Sequence, residues 1–94
     1  LNPQYYKNFV KVLGIYPAGT LVRLDTNEVA LIYRPNYARP KRPRVKLLYN
    51  PDGNRLQEPV EVDLTELGVN GRPRRNIVST VSRVLKNIDI SDYL

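Results

Sequence analysis

The chemistry-bearing residues of this chain are cations. Arg34, Arg39, Lys41, Arg42, Arg44 and Lys46 fall in a span, Val29 to Pro51, that holds no acid. Within it, "RPNYARPKRPRVK" sets Tyr37 among Arg39, Lys41, Arg42 and Arg44. Cations of this density neutralise phosphates, and a tyrosine among them offers a ring on which a base stacks. These five residues are the candidate ligand-binding set. The same stretch equally fits a solvated, proline-stiffened loop whose cations keep sheet edges from pairing. A second acid-free stretch, Leu67 to Ile88, carries Arg72, Arg74, Arg75, Arg83 and Lys86. If both stretches converge on one face around Tyr37, a nucleic-acid surface gains weight; if they lie on opposite faces it loses weight.

The acids offer less. Asp52, Glu58, Glu61, Asp63 and Glu66 are close in sequence, and such a group can hold a hard cation. They also lie opposite an excess of cations, so salt bridges are the expectation. The chain has no His and no Cys. A zinc site would have to use carboxylates alone, which is unusual. Ser-His and Cys-His nucleophile pairs are excluded. No catalytic residue, metal ligand or cofactor is assigned, and the chain alone is not expected to be an enzyme.

Those residues need positioning elements. Ninety-four residues make one compact domain with a modest core. Asn2 can cap and Pro3 suits the first turn of a helix over residues 2–14; Tyr6, Phe9, Val10 and Leu13 form its apolar stripe, and Gly14 closes it. After Pro17 the period changes to two. Thr20–Leu24, Glu28–Arg34, Arg44–Asn50 and Pro59–Leu64 are predicted strands, with Asp25-Thr26-Asn27 and Asn50-Pro51-Asp52-Gly53 as turns. Val29, Leu31 and Tyr33, Val45, Leu47 and Tyr49, and Val60, Val62 and Leu64 are the expected inward residues. Residues 76–86 fit either state, and a closing strand near 76–82 is favoured because Ile, Val, Ser and Thr dominate. The fold class is mainly β: a small SH3-like barrel, or a bent antiparallel sheet of four to five strands, with an N-terminal helix. Residues 1–14 are expected to be a connecting helix ending a preceding helical domain, and residues 15–94 a small β-barrel-like module. On this layout Leu47 is a core residue, while Arg42 sits in an exposed loop where truncation is near neutral.

The strings "LGIYPAGTLVRLDTNEVALIYRPN" and "RPRVKLLYNPDGNRLQEPVEVDL", with a closing "DYL", resemble the region after the HD domain in HD-GYP-type metal-dependent phosphohydrolases. The resemblance spans roughly residues 9–67 and 88–94. Tyr16-Pro17 is not that family's catalytic signature, which follows a histidine-rich stretch, so no catalytic residue carries over. The resemblance implies a non-catalytic C-terminal accessory domain of a bacterial, cyclic-dinucleotide phosphodiesterase-like enzyme. Its expected partner is the catalytic HD domain of the same parent chain. Self-association and weak, non-specific polyanion binding are further expected contacts. A signalling role in the cytoplasm is expected, without membrane contact, and the Leu1 start implies a fragment. The alternative is an independent basic nucleic-acid-binding β-barrel. Asp63, Thr65 and Gly68 also come near one element of the PilZ pattern, but the arginines follow that element where they should precede it. A strand ending in a polar turn explains the same residues.

Overall fold

The structure is a computed structural model that describes residues 16–82. Five strands form one antiparallel sheet: β1 (Leu21–Leu24), β2 (Val29–Arg34), β3 (Arg44–Tyr49), β4 (Arg55–Asp63) and β5 (Ile77–Thr80). Their order across the sheet is β4-β3-β2-β1-β5. The expected helix over residues 2–14 and the connecting segment 1–14 lie outside the described residues, as does the tail after Ser82. Among the described residues no helix is long and apolar enough to cross a membrane.

Local chemistry makes the meander. Between β1 and β2 the three-residue turn forms as expected: Asn27 N–H donates to the Leu24 carbonyl at 2.9 Å, and Asn27 itself takes φ 71°. Asn tolerates this left-handed position better than most residues. Between β3 and β4, the Asn50 side-chain oxygen accepts from the N–H groups of Asp52 and Asn54, and Gly53 closes the turn at φ 86°. A side chain at Gly53 would meet no atom, so the position demands glycine for its backbone angle and not for space. The two turns are joined where Asn27 Nδ2 donates to the Pro51 carbonyl at 2.8 Å.

The barrel expectation is corrected: the sheet stays open, because β4 and β5 share no ladder. The 13 residues between Asp63 and Ile77 supply a single isolated bridge, Leu67 to Pro73, in place of a closing strand. The expectation of a mainly β antiparallel sheet matches, with five strands in one open sheet, and residues 77–80 are strand. β4 also begins at Arg55, well before the expected Pro59, because Arg55 pairs with Tyr49 across the tight turn.

The alternation also needs correction. In β2, Val29, Ala30, Leu31 and Ile32 are all buried, so neither face is polar. The main cluster takes Val22, Leu24, Ala30, Ile32, Val45, Leu47, Val62 and Leu64 from one face, while Leu21, Leu31 and Leu48 cluster on the other. Bulges explain which residues go where. Ala30 pairs with Leu47 but Val29 pairs with Tyr49, so Leu48 is an extra residue in β3. An extra residue sends every side chain beyond it to the opposite face. Tyr49 therefore packs with Leu31 and Leu48, not with Val45 and Leu47 as its spacing implied. Val60 was expected to be inward and is 49% exposed, because it sits on the edge strand.

The Pro35–Pro43 connection was expected at a sheet edge. It joins β2 to β3, both interior strands. The edges are β4 and β5, and they are blunted differently. β4 loses register with β3 between Leu47 and Tyr49, around Pro59, and β5 carries a bulge that leaves Val78 exposed. Proline and bulges are ordinary protections of a free edge.

Leu47 is 4% exposed inside the main cluster. Leu47→Ala is expected to lower unfolding free energy by about 2–5 kcal/mol. Val60→Ala is expected to change it by about 0.5 kcal/mol or less. Urea denaturation of both variants checks the assignment; equal losses would contradict it.

Candidate functional site

The β2–β3 loop that holds the candidate cations organises itself. Asn36 Oδ1 accepts from the N–H groups of Ala38 and Arg39 at 3.1 and 3.0 Å, and Asn36 Nδ2 donates to the Arg42 carbonyl at 3.1 Å. Arg42 N–H donates to the Arg39 carbonyl at 2.8 Å, and Pro43 is fully buried. The loop is thus a compact turn anchored by a buried proline, not an extended strap.

This anchoring aims Arg42 inward, contrary to its expected exposure. Its Nη1 donates to the Arg75 carbonyl at 2.5 Å and, at 3.5 Å, to the Leu64 carbonyl. Its Nη2 donates to Asn76 Oδ1. Leu64 follows β4 and Arg75-Asn76 precede β5, so one guanidinium ties together the two ends that no ladder joins. Asn76 continues the connection. Its backbone N–H and its Nδ2 donate to the two carboxylate oxygens of Asp25 at 3.0 and 2.7 Å, and Asp25 N–H donates back to the Asn76 carbonyl at 2.9 Å. Beside it, Arg75 Nε donates to Glu28 Oε1 at 2.7 Å. The Glu28 side chain is 11% exposed and also accepts from Thr26 Oγ1 at 2.5 Å. A partly buried guanidinium–carboxylate pair of this kind is stabilised by its additional hydrogen bonds.

The candidate residues therefore divide. Arg42 is spent on the fold. Arg44 is exposed and pairs with Asp63 at 3.3 Å. Tyr37 is 75% exposed, and Arg39 and Lys41 are exposed. The two basic stretches do meet, through Arg42 and Arg75, though nothing places Tyr37 at the centre of that junction. Of the acids, Asp63 takes one arginine, and it also accepts from Thr65 N–H at 2.9 Å and Thr65 Oγ1 at 2.7 Å. That is the polar turn after a strand, and it accounts for the Asp63-Thr65 spacing without a ligand. Among the described residues no group of three or more acids is placed to hold a metal ion.

Two carboxyls titrate below their ordinary value of 3.8. The Asn76 side chain, then its backbone N–H, holds the Asp25 carboxyl low, with a smaller contribution from Arg42. The Thr65 hydroxyl, then its N–H, does the same for Asp63, helped by Arg44. Hydrogen bonds to the charged form favour that form. Sequence reading missed Asp25, Glu28 and Asn76. Their partners stand 51, 47 and 34 positions away, and only the polar Asp25-Thr26-Asn27 turn and the Arg75-Asn76 pair mark where they are.

Residues 21–68, half of the chain, match the family model of the KOW domain associated with HD domain. A Pseudomonas aeruginosa protein named as a cyclic di-GMP phosphodiesterase is 32% identical over 74 residues, which is 79% of this chain and 17% of that protein. The chain thus spans about one-sixth of the length of that relative. No solved structure matches the chain.

Two outcomes test the site's internal role. Arg42→Ala strands three acceptors and is expected to cost about 1.5–3 kcal/mol, the range for hydrogen bonds from a charged group. Arg42→Lys should recover only part of this, since an ammonium cannot reproduce the fork. Lys41→Ala should be near neutral, and thermal melts of the three variants compare them. The acid branch follows from Asp25 and Asp63. Because their folded values lie below 3.8, they stabilise the fold above that pH, and the contribution is lost as pH falls through the folded values. Stability measured by denaturation should fall below pH ~4. The fall should be shallower in the Asp25→Asn/Asp63→Asn variant; an unchanged slope would contradict the assignment.

Proposed function

This chain belongs to the family of KOW domains associated with HD domains, and from that membership we propose that it is a non-catalytic accessory module of an HD-type metal-dependent phosphohydrolase. The family match is the observation that carries the reading. The parent enzyme acts on a cyclic dinucleotide, a substrate class taken from the name of the Pseudomonas aeruginosa relative. The module occupies residues 15–94, follows the catalytic domain, works in the cytoplasm, and stabilises or regulates its neighbour by docking on it. Its own residues supply no step of the hydrolysis. Their work is structural: the Arg42 tie and the Arg75–Glu28 pair keep an open sheet in one shape, so that the surface shown to a neighbour is constant.

One observation favours the second reading, a nucleic-acid-binding module: the two basic stretches converge. Against it, Arg42, Arg44 and Arg75 already have internal partners, which leaves fewer cations for phosphates. Tyr37, Arg39 and Lys41 are the residues that reading would use.

Removing the module from the full-length parent enzyme tests the first reading. Cyclic-dinucleotide hydrolysis is expected to fall about fivefold or more, the lower end of typical coupling between sites. Activity and melting temperature both unchanged on removal would defeat it. In the same protein, loss of single-stranded nucleic-acid binding on Tyr37→Ala at ~150 mM salt, by the 1–3 kcal/mol of one stacked base, would favour the second.

A further inference from the structure

The segment after β4 contains a feature that neither the sheet nor the tie uses. Leu67 and Pro73 form an antiparallel bridge. Inside it, Gly68 N–H donates to the Arg72 carbonyl at 2.8 Å and Gly71 N–H to the Gly68 carbonyl at 3.0 Å; outside it, Arg74 N–H donates to the Glu66 carbonyl at 3.2 Å. Gly71 takes φ 74°, and Asn70 Oδ1 accepts from Arg72 N–H at 3.0 Å. These bonds make a small, fully organised hairpin. Its residues contribute nothing to either core cluster. Val69 at the tip is wholly exposed, and Leu67 on the shaft is 57% exposed.

A single exposed apolar residue is ordinary. An ordered hairpin that fixes its backbone without burying its apolar side chains in either core cluster is less so, since its ordering entropy finds little apolar burial among the described residues. The cations add a second constraint. Arg72 and Arg74 are exposed and have no acid partner among the described residues, as do Arg39 and Lys41 on the loop that Arg42 ties to this segment. Of the nearby acids, Asp63 is taken by Arg44 and Thr65 and Glu28 by Arg75 and Thr26, while Glu66, exposed beside the hairpin, makes no salt bridge with Arg72 or Arg74. A surface that fits this hairpin must therefore bring both an apolar depression and its own carboxylates. That combination is the chemistry of a protein surface. Nucleic acid supplies the negative charge but leaves Val69 and Leu67 without an apolar counterpart.

We propose that the Leu67–Arg74 hairpin is the docking finger of the module. Val69 and Leu67 enter an apolar depression on the catalytic HD domain of the same parent chain, and Arg72 and Arg74 pair with carboxylates at its rim. This rests on the accessory-module reading above and names the surface that performs it.

The full-length parent enzyme carries the test. Val69→p-benzoylphenylalanine is irradiated and the product mapped by mass spectrometry, with Asp52→p-benzoylphenylalanine, on the exposed β3–β4 turn, as the control. A crosslink from position 69 to an HD-domain peptide containing Asp or Glu is expected, well above the control. In an Arg72→Glu/Arg74→Glu background its yield should drop about tenfold, as like charges across an interface impose. An unchanged melting temperature in that background would confirm that both substitutions act at the surface. Crosslinking of position 69 to a second copy, to nucleic acid, or to nothing above the control overturns the finger. If that occurs while removal of the module still lowers hydrolysis, the finger falls and the accessory reading stands. If removal changes nothing, the accessory reading falls, and the finger with it.

Discussion

One guanidinium holds the ends of this fold together. An open five-stranded sheet leaves β4 and β5 without a shared ladder, and the segment between them supplies no closing strand. Arg42 meets that deficiency with three acceptors, one just after β4 and two just before β5. Five donors in a rigid plane suit this role. Its position depends in turn on the self-capped loop of Asn36 and on buried Pro43, which fix the backbone from which the side chain projects. Asn76 and Asp25 then pass the constraint to the β1–β2 turn, and Glu28 repeats it through Arg75.

The sheet itself is thin, and bulges let it serve two apolar clusters. Leu47 and Leu48 are adjacent, yet they enter different clusters. β2 lies between them with four consecutive buried residues. A strand buried on both faces normally belongs to a covered central position, and β2 holds the central place in this strand order. The edges, by contrast, are irregular, mostly exposed and interrupted by Pro59 or by a bulge, which limits pairing with a stray strand.

Charge in this chain is less free than its net value of +6 implies. Three of the arginines in the two basic stretches are held by Leu64, Asp63, Glu28 and Asn76. Among the described residues, the exposed cations include those of a tyrosine-bearing loop and of an ordered hairpin with an apolar tip. The chain, which belongs to the family of KOW domains associated with HD domains, thus combines an internally bonded interior with a mixed apolar and cationic surface.

Much of the architecture was legible in the residues alone. The turn at Asp25-Thr26-Asn27, the Asn50–Gly53 turn, the extended runs between them and the strand character of residues 77–80 follow from local propensity, which acts over a few residues and needs no partner. The absence of His and Cys likewise limited the chemistry before any coordinates. The faces were not legible. A period of two says that side chains alternate but not where an extra residue reverses them, so Tyr49 was assigned to the wrong side, and it does not say which strand is an edge, so Val60 was expected to be buried where it is exposed. The role of Arg42 was hidden for a related reason. Its neighbours in sequence are prolines and cations, which read as exposed, while its partners lie 22 to 34 positions away and become adjacent only in the folded chain. Local composition decided which strands and turns form; the tertiary fold alone decided which cations serve the structure and which stay outward, because hydrogen bonds between distant segments exist only after the chain has brought them together.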